Sequence, residues 1–348
     1  MICLVSPESR VPGEHPLRDI KRLTDAVLRR LSPVFDAMYA ATGRPSVPPE
    51  QLLKGSLLMA LYSVRSERQF CEQLEYNLLF RWFLDMDMLE DAFDPSAFSH
   101  NRERLMEHDV AAQFFAAVRD EGRELMSCDH FSVDGTLIEA WASRKSFRPK
   151  DEPAASNDNN GWADFRGRTC SNETHQSKTD PEARLMRKGH SQQAKLSCGA
   201  HALIENRNGL LVDLQISQAT GYAEREVALE MLYPQRRRTA RITVGADRAY
   251  DTRDFVAACR EQRVTPHVAQ NQNTRRRSAL DDRTTRHVGY VISQRIRMRI
   301  EQVFGWTKVY GGLRKTRLRG VERTQTAAYL VGAAYNLIRI VKLRRRAE

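Results

Sequence analysis

Six polar side chains, in three separate stretches, have the types and spacing for phosphodiester chemistry. The densest stretch is residues 291–312, VISQRIRMRIEQVFGWTKVYGG. Its spacing predicts one amphipathic helix, closed by the glycine pair Gly311 and Gly312. With Arg297 at zero on the helical wheel, Lys308 falls at about 20°, Glu301 at about 40° and Gln294 at about 60°. Ile296, Ile300 and Val303 share the adjoining flank. A lone acid in a row of cations reads in two ways. Arg297 and Glu301 are four apart, so plain helical charge pairing accounts for them. The functional alternative is a metal-binding carboxylate flanked by phosphate-gripping cations.

Two aspartates stand where strands are expected to end. HFSVDGTLIEAW has the alternation of a strand and presents Asp134 close to its end; ARITVGADRAYD reads as a buried strand ending in Asp247. Each has an ordinary structural role available, Asp134 as a turn residue before Gly135 and Asp247 as a helix cap or a partner of Arg248. Asp251 and Asp254 lie close enough to compete as ligands. If the acids converge, hard oxygen donors suit magnesium or manganese, and two ions about 4 Å apart would activate a hydroxyl nucleophile and stabilise a leaving oxygen.

The elements that must position these groups follow from the rest of the chain. With 348 residues, two domains are expected. Residues 1–15 carry no pattern. Helical periodicity starts at Pro16, stops at the glycine and prolines of residues 43–49, and resumes at PEQLLKGSLLMALYSV. Ser66 and Gln69 form a capping-box pattern, and two further helices follow, over about 96–106 and 110–125. Residues 1–126 are therefore expected to be an all-α domain, suited either to reading a DNA groove or to packing and dimerisation. Strand signals begin at Cys128. Residues 144–193 are polar and read as an extended, partly disordered insertion. A hairpin is expected around Asn208-Gly209, a helix at 222–233, a helix at 252–262, a short strand at VTPHVA, and a buried final helix over about 322–342. Trp306 and His267 read as core and structural residues, and Tyr222 as helix packing.

The formal net charge is +11, and residues 271–320 are rich in arginine, which points to a polyanionic partner. No run of 18 apolar residues exists, so no membrane span is expected, and no secretory leader is visible. The six cysteines form no CxxC pair and read as reduced thiols of a cytoplasmic protein; Cys128 and His130 lack the further ligands of a zinc site.

VDGT, GADRAYD and SQRIRMRIEQVFGWTKVYGGLRKTRLRG together resemble the DDE transposases of bacterial insertion sequences, in the IS-five-like group. The resemblance runs from about Pro48 to the C-terminus and is most specific in the last third. It implies an α/β ribonuclease-H-like catalytic domain over 127–348, a mixed sheet flanked by helices, behind the all-α N-terminal domain. It implies that Asp134, Asp247 and Glu301 are the catalytic, metal-binding triad, with Mg2+ or Mn2+ as cofactor. Related transposases also carry a signature of Tyr, two residues, Arg, three residues, Glu, six residues and Lys. Arg297, Glu301 and Lys308 match it; Gln294 stands at the tyrosine position. Arg297 and Lys308 would then position phosphates, with Arg295, Arg299, Arg314, Lys315, Arg317 and Gln294 as further DNA contacts. The implied partners are the element's terminal inverted repeats and target DNA, held by a homodimer in the bacterial nucleoid. A nuclease or resolvase of the same fold, or a non-catalytic DNA-binding derivative, is the competing expectation.

Overall fold

The computed structural model describes residues 6–38, 47–150, 171–189, 192–272 and 277–347. Seven helices open the chain: α1 (Pro7–Arg10), α2 (Pro16–Met38), α3 (Pro49–Leu61), α4 (Glu67–Tyr76), α5 (Leu78–Phe83), α6 (Pro95–Glu107) and α7 (Val110–Glu121). Their sequence signals hold locally. Ser66 caps α4, its hydroxyl accepting from the Gln69 N–H, and a proline occupies the first turn of α3. The buried stripe of α2 runs Leu17, Ile20, Val27, Leu28, Leu31 and Phe35, as its periodicity required. Where it is described, from residue 6, the patternless start carries a short helix. Within α1, Glu8 accepts from Arg18 and from the Trp82 indole, which ties α1 to α2 and α5.

The sheet follows. Its strands are β1 (His130–Glu139), β2 (Phe147–Pro149), β3 (His175–Ser177), β4 (Arg184–Met186), β5 (Lys195–Glu205), β6 (Leu211–Gln218), β7 (Ile242–Ala246) and β8 (Val264–Val268). Strands β5, β1, β7 and β8 lie side by side, and β6 and β4 pair with the outer edge of β5. The β1–β5 and β5–β6 pairs are antiparallel, whereas β1–β7 and β7–β8 are parallel. Each parallel step needs a crossover. Helix α8 (Ala223–Leu232) links β6 to β7, and α9 (Arg253–Glu261) links β7 to β8. The remaining helices are α10 (Asp282–Thr285), α11 (Val288–Ile296), α12 (Ile300–Val309) and α13 (Val321–Ala347).

The hairpin expected at Asn208-Gly209 is present, with a loop longer than two residues. Gly209 supplies the positive φ of +72°. The fully buried Glu205 holds the loop, its Oε1 accepting from Asn208 N (2.8 Å) and Leu210 N (2.9 Å), and its Oε2 from Arg207 N (2.7 Å) and Ser127 N (2.9 Å). The polar stretch 144–193 is not simply loop where it is described. Strands β2 and β3 form a two-stranded sheet and β4 extends the main one. The rest of that expectation, residues 151–170, 190 and 191, lies outside the described residues.

One hydrophobic cluster joins α2–α7 to one face of the sheet through α12 and α13; a second fills the opposite face, under α8 and α9. Helix α13 packs on α7, α3, α2 and β6, and its middle is buried on all sides as its apolar run implied. Asn336, fully buried, donates to Leu211 O (2.8 Å) and accepts from Leu211 N (2.9 Å), which clips α13 to the free edge of β6. Among the described residues no helix is long and apolar enough to cross a membrane.

Candidate active site

The parallel register between β1 and β7 builds the site. It ends at Ser132 opposite Gly245. Two residues further along each chain stand Asp134 and Asp247, side by side where β7 has run out. Asp134 is not at a strand end, as its sequence suggested: β1 continues to Glu139 because β5 pairs with it throughout. Gly135 is accordingly a strand residue, not a turn. Asp134 Oδ1 accepts from Gly135 N (2.8 Å), and Asp247 Oδ1 accepts from Ala249 N (2.8 Å), capping a short 3-10 turn. The cap foreseen as Asp247's ordinary role therefore exists and leaves its second oxygen without a bond among the described residues. Burial pushes the Asp134 carboxyl up to about 7; Asp247 and Glu224 add to the rise and Arg297 opposes it.

Helix α12 supplies the facing wall. Residues 291–312 do not form one helix: a 3-10 turn at Arg297–Arg299 separates α11 from α12. The four polar residues expected on one face are thereby divided. Gln294 donates to His267 O (2.6 Å) and accepts from Arg297 Nε (2.9 Å), so these two serve the β8 end of the sheet. Glu301 and Lys308 line a cavity of about 650 Å3 together with Asp134, Asp247, Glu224 and Arg314. Lys308 Nζ donates to Thr136 Oγ1 (2.5 Å) and Leu137 O (2.9 Å). Burial lowers its pKa to about 8, helped by Lys188 and Arg314.

Glu301 is exposed on this wall, and the acids that act on Asp134 are Asp247 and Glu224. No three described His, Cys, Asp or Glu side chains already stand close enough to hold an ion. The donor chemistry nevertheless fits a hard divalent cation. Several carboxylates line one cavity, and the raised Asp134 is a half-buried acid short of positive charge, a condition that a dication relieves.

The other sequence candidates divide by what they touch. Arg299 donates to Asn206 O and Arg207 O (both 2.8 Å) and so braces the hairpin loop. Lys315 pairs with Glu139 (3.3 Å) and lies over the Trp141 ring. Arg295, Arg314 and Arg317 are exposed. Asp251 is buried and accepts from Asn271 N (2.7 Å) and Ala279 N (2.8 Å), a structural role. His267 is structural as expected, bonded through Nδ1 to Ser293 Oγ (2.7 Å). Trp306 packs on Tyr310 and Tyr335 against the larger cluster. Tyr222 is not packed: it is 70% exposed beside Arg225. Cys71, Cys198 and Cys259 are buried thiols and Cys128 is exposed. Glu224 went unremarked in sequence because an acid in the first turn of a helix already has an electrostatic reason to be there. The available signal was topological: a helix crossing from β6 to β7 must begin beside the strand that carries Asp134.

A five-strand mixed core with three antiparallel strands, two parallel additions, crossover helices and paired aspartates at the parallel junction defines a ribonuclease-H-like domain. The family model described as "Transposase DDE domain" matches residues 129–337, and "Transposase domain (DUF772)" matches residues 5–104. The chain belongs to the DDE transposase family and is a transposase. Comparison with curated proteins found no match. Among solved structures, a piggyBac transposase synaptic complex with hairpin DNA superposes with a TM-score of 0.42 at 11% identity, over 95% of this chain and 75% of that one. A pre-cleavage Mos1 transpososome gives 0.21 at 9% identity, over 89% and 81%, and a Mos1 strand transfer complex 0.24 at 10%, over 90% and 82%. Family membership rests on the two models and not on these loose superpositions.

Proposed function

We propose that Asp134, Asp247 and Glu301 form the catalytic triad of a transposase that cuts the terminal inverted repeats of an insertion sequence of the IS-five-like group. The freed 3′-hydroxyls are then joined to target DNA in the same cavity. The observation that carries this reading is the β1–β7 register, which sets Asp134 beside Asp247 with Glu301 and Lys308 across one cavity. Enzymes of this family work with divalent ions; here Mg2+ or Mn2+, two per site, would supply activation of the attacking hydroxyl and charge neutralisation at the scissile phosphate. The three carboxylates hold and orient that chemistry. The Lys308 ammonium, already positioned by Thr136 and Leu137, binds a phosphate oxygen beside them. Arg297, steadied by Gln294, partly offsets the rise that burial imposes on the Asp134 carboxyl. Exposed Arg295, Arg314 and Arg317 give sequence-independent grip on the backbone. Both ends must be cut together, so the working form is a homodimer on bacterial DNA.

The test is cleavage of a duplex carrying the element's flanking repeats, with and without divalent metal. Asp134→Ala is expected to abolish strand cleavage while end binding stays nearly intact. Cleavage that persists without metal, or in that variant, would end the proposal.

A further inference from the structure

Glu224 is an acid without a counterion. It lies in the first turn of α8, half-buried, lines the same cavity as Asp134 and Asp247, and makes no ion pair or hydrogen bond among the described residues. Its neighbour Arg225 turns elsewhere, over the Tyr222 ring and onto Gly221 O (3.2 Å). Its carboxylate occupies the place where residue 135 would carry a side chain. A Cβ on Gly135 would meet Glu224 Oε1 at 2.1 Å. The glycine after Asp134 thus admits a third acid beside the two aspartates. Three carboxylates gathered in a partly desolvated cavity repel one another unless a cation joins them.

The wall beside Glu224 carries a second sign of a missing polar partner. His201, opposite Gly135 in the β1–β5 register, lines the cavity and is 3% exposed. Its Nε2 lies 2.8 Å from Ser217 Oγ, and that hydroxyl donates to Gln218 O (3.1 Å). The imidazole therefore donates through Nε2, and Nδ1 remains an acceptor with no partner among the described residues.

We propose that Glu224 is a fourth carboxylate of this cavity, binding a hard divalent cation jointly with Asp134 and Asp247 while Glu301 contributes from the opposite wall. The assignment rests on reading the cavity as a metal centre.

The test is Mn2+ binding to the full-length protein without DNA, read from the free-ion signal in electron paramagnetic resonance. Glu224→Gln and Asp134→Asn are each expected to weaken binding by about tenfold or more. Gly135→Ala should weaken it too, because the new methyl group displaces the flexible Glu224 carboxylate, and should have no effect in a Glu224→Ala background. The metal-free melting temperature of Glu224→Gln should equal or exceed that of the native protein, since a repelling charge is removed. Native affinity in Glu224→Gln beside weak binding in Asp134→Asn overturns Glu224 alone. Native affinity in Asp134→Asn overturns the metal centre itself. A lowered metal-free melting temperature makes Glu224 a structural residue and also overturns the assignment.

Discussion

Lys308 concentrates the residue-scale chemistry. Its ammonium group is held by Thr136 Oγ1 and Leu137 O, within reach of cavity solvent, and burial lowers its pKa to about 8. The cationic form is present below that value and is lost as pH rises through it. A phosphate contact made by this group must therefore weaken in the same window. End-binding affinity of the native protein, measured by fluorescence anisotropy, is expected to fall above pH 8. In Lys308→Arg it should stay level over that range, because a guanidinium keeps its charge. A parallel fall in both proteins would remove Lys308 from the DNA contact.

At the scale of elements, the joint between α11 and the sheet is built on neutral imidazoles. Ser293 Oγ bridges His267 Nδ1 (2.7 Å) and His130 Nε2 (2.8 Å), which docks α11 on β8 and β1. Burial lowers His267 to about 4, with His130 and His287 adding to the fall, and lowers His201 to about 4. These folded values lie below the ordinary histidine pKa of about 6.5, so the unfolded chain binds more protons between about pH 6.5 and 4. Their contribution to stability is present above pH 6.5 and is lost as pH falls towards 4. The melting temperature is expected to drop across this interval, and the drop should be shallower in His267→Gln. The same joint shows why α11 and α12 do not form one rod. The 3-10 turn at Arg297–Arg299 shifts the helical phase, so that Gln294 serves β8 and Glu301 lines the cavity.

For the molecule as a whole, α13 is the connection between the helical layer and the sheet. The Asn336 clip onto Leu211 satisfies both a donor and an acceptor in the middle of that interface. Asn336→Ala leaves two buried backbone groups unpaired and should cost about 2–4 kcal/mol, measurable by urea unfolding. The charge of the whole chain, +11, sets the other large-scale property. DNA affinity should fall steeply with salt, and Arg314→Ala should reduce the slope of log K against log salt by about 1. A flat salt response would show that the arginine-rich surface does not grip phosphate.

The sequence by itself determined most of the helices, the long strands and the aspartate pair. Periods of 3.6 and 2 separated the helical first third from the strands, and VDGT and GADRAYD marked Asp134 and Asp247 because a buried apolar strand running into an acid has few explanations. It also marked Glu301 and Lys308, through their place in a basic helix. Only the tertiary structure decided which acids meet. The two-residue overrun past the Ser132–Gly245 pair sets Asp134 against Asp247, and the bare backbone of Gly135 brings Glu224 to them from a helix on another layer. Tertiary structure also gave Arg299 a role its spacing did not show, holding a hairpin loop through Asn206 O and Arg207 O. The physical reason is range: periodicity reports which face a residue occupies within its own element, whereas register and layer packing decide which faces share a cavity.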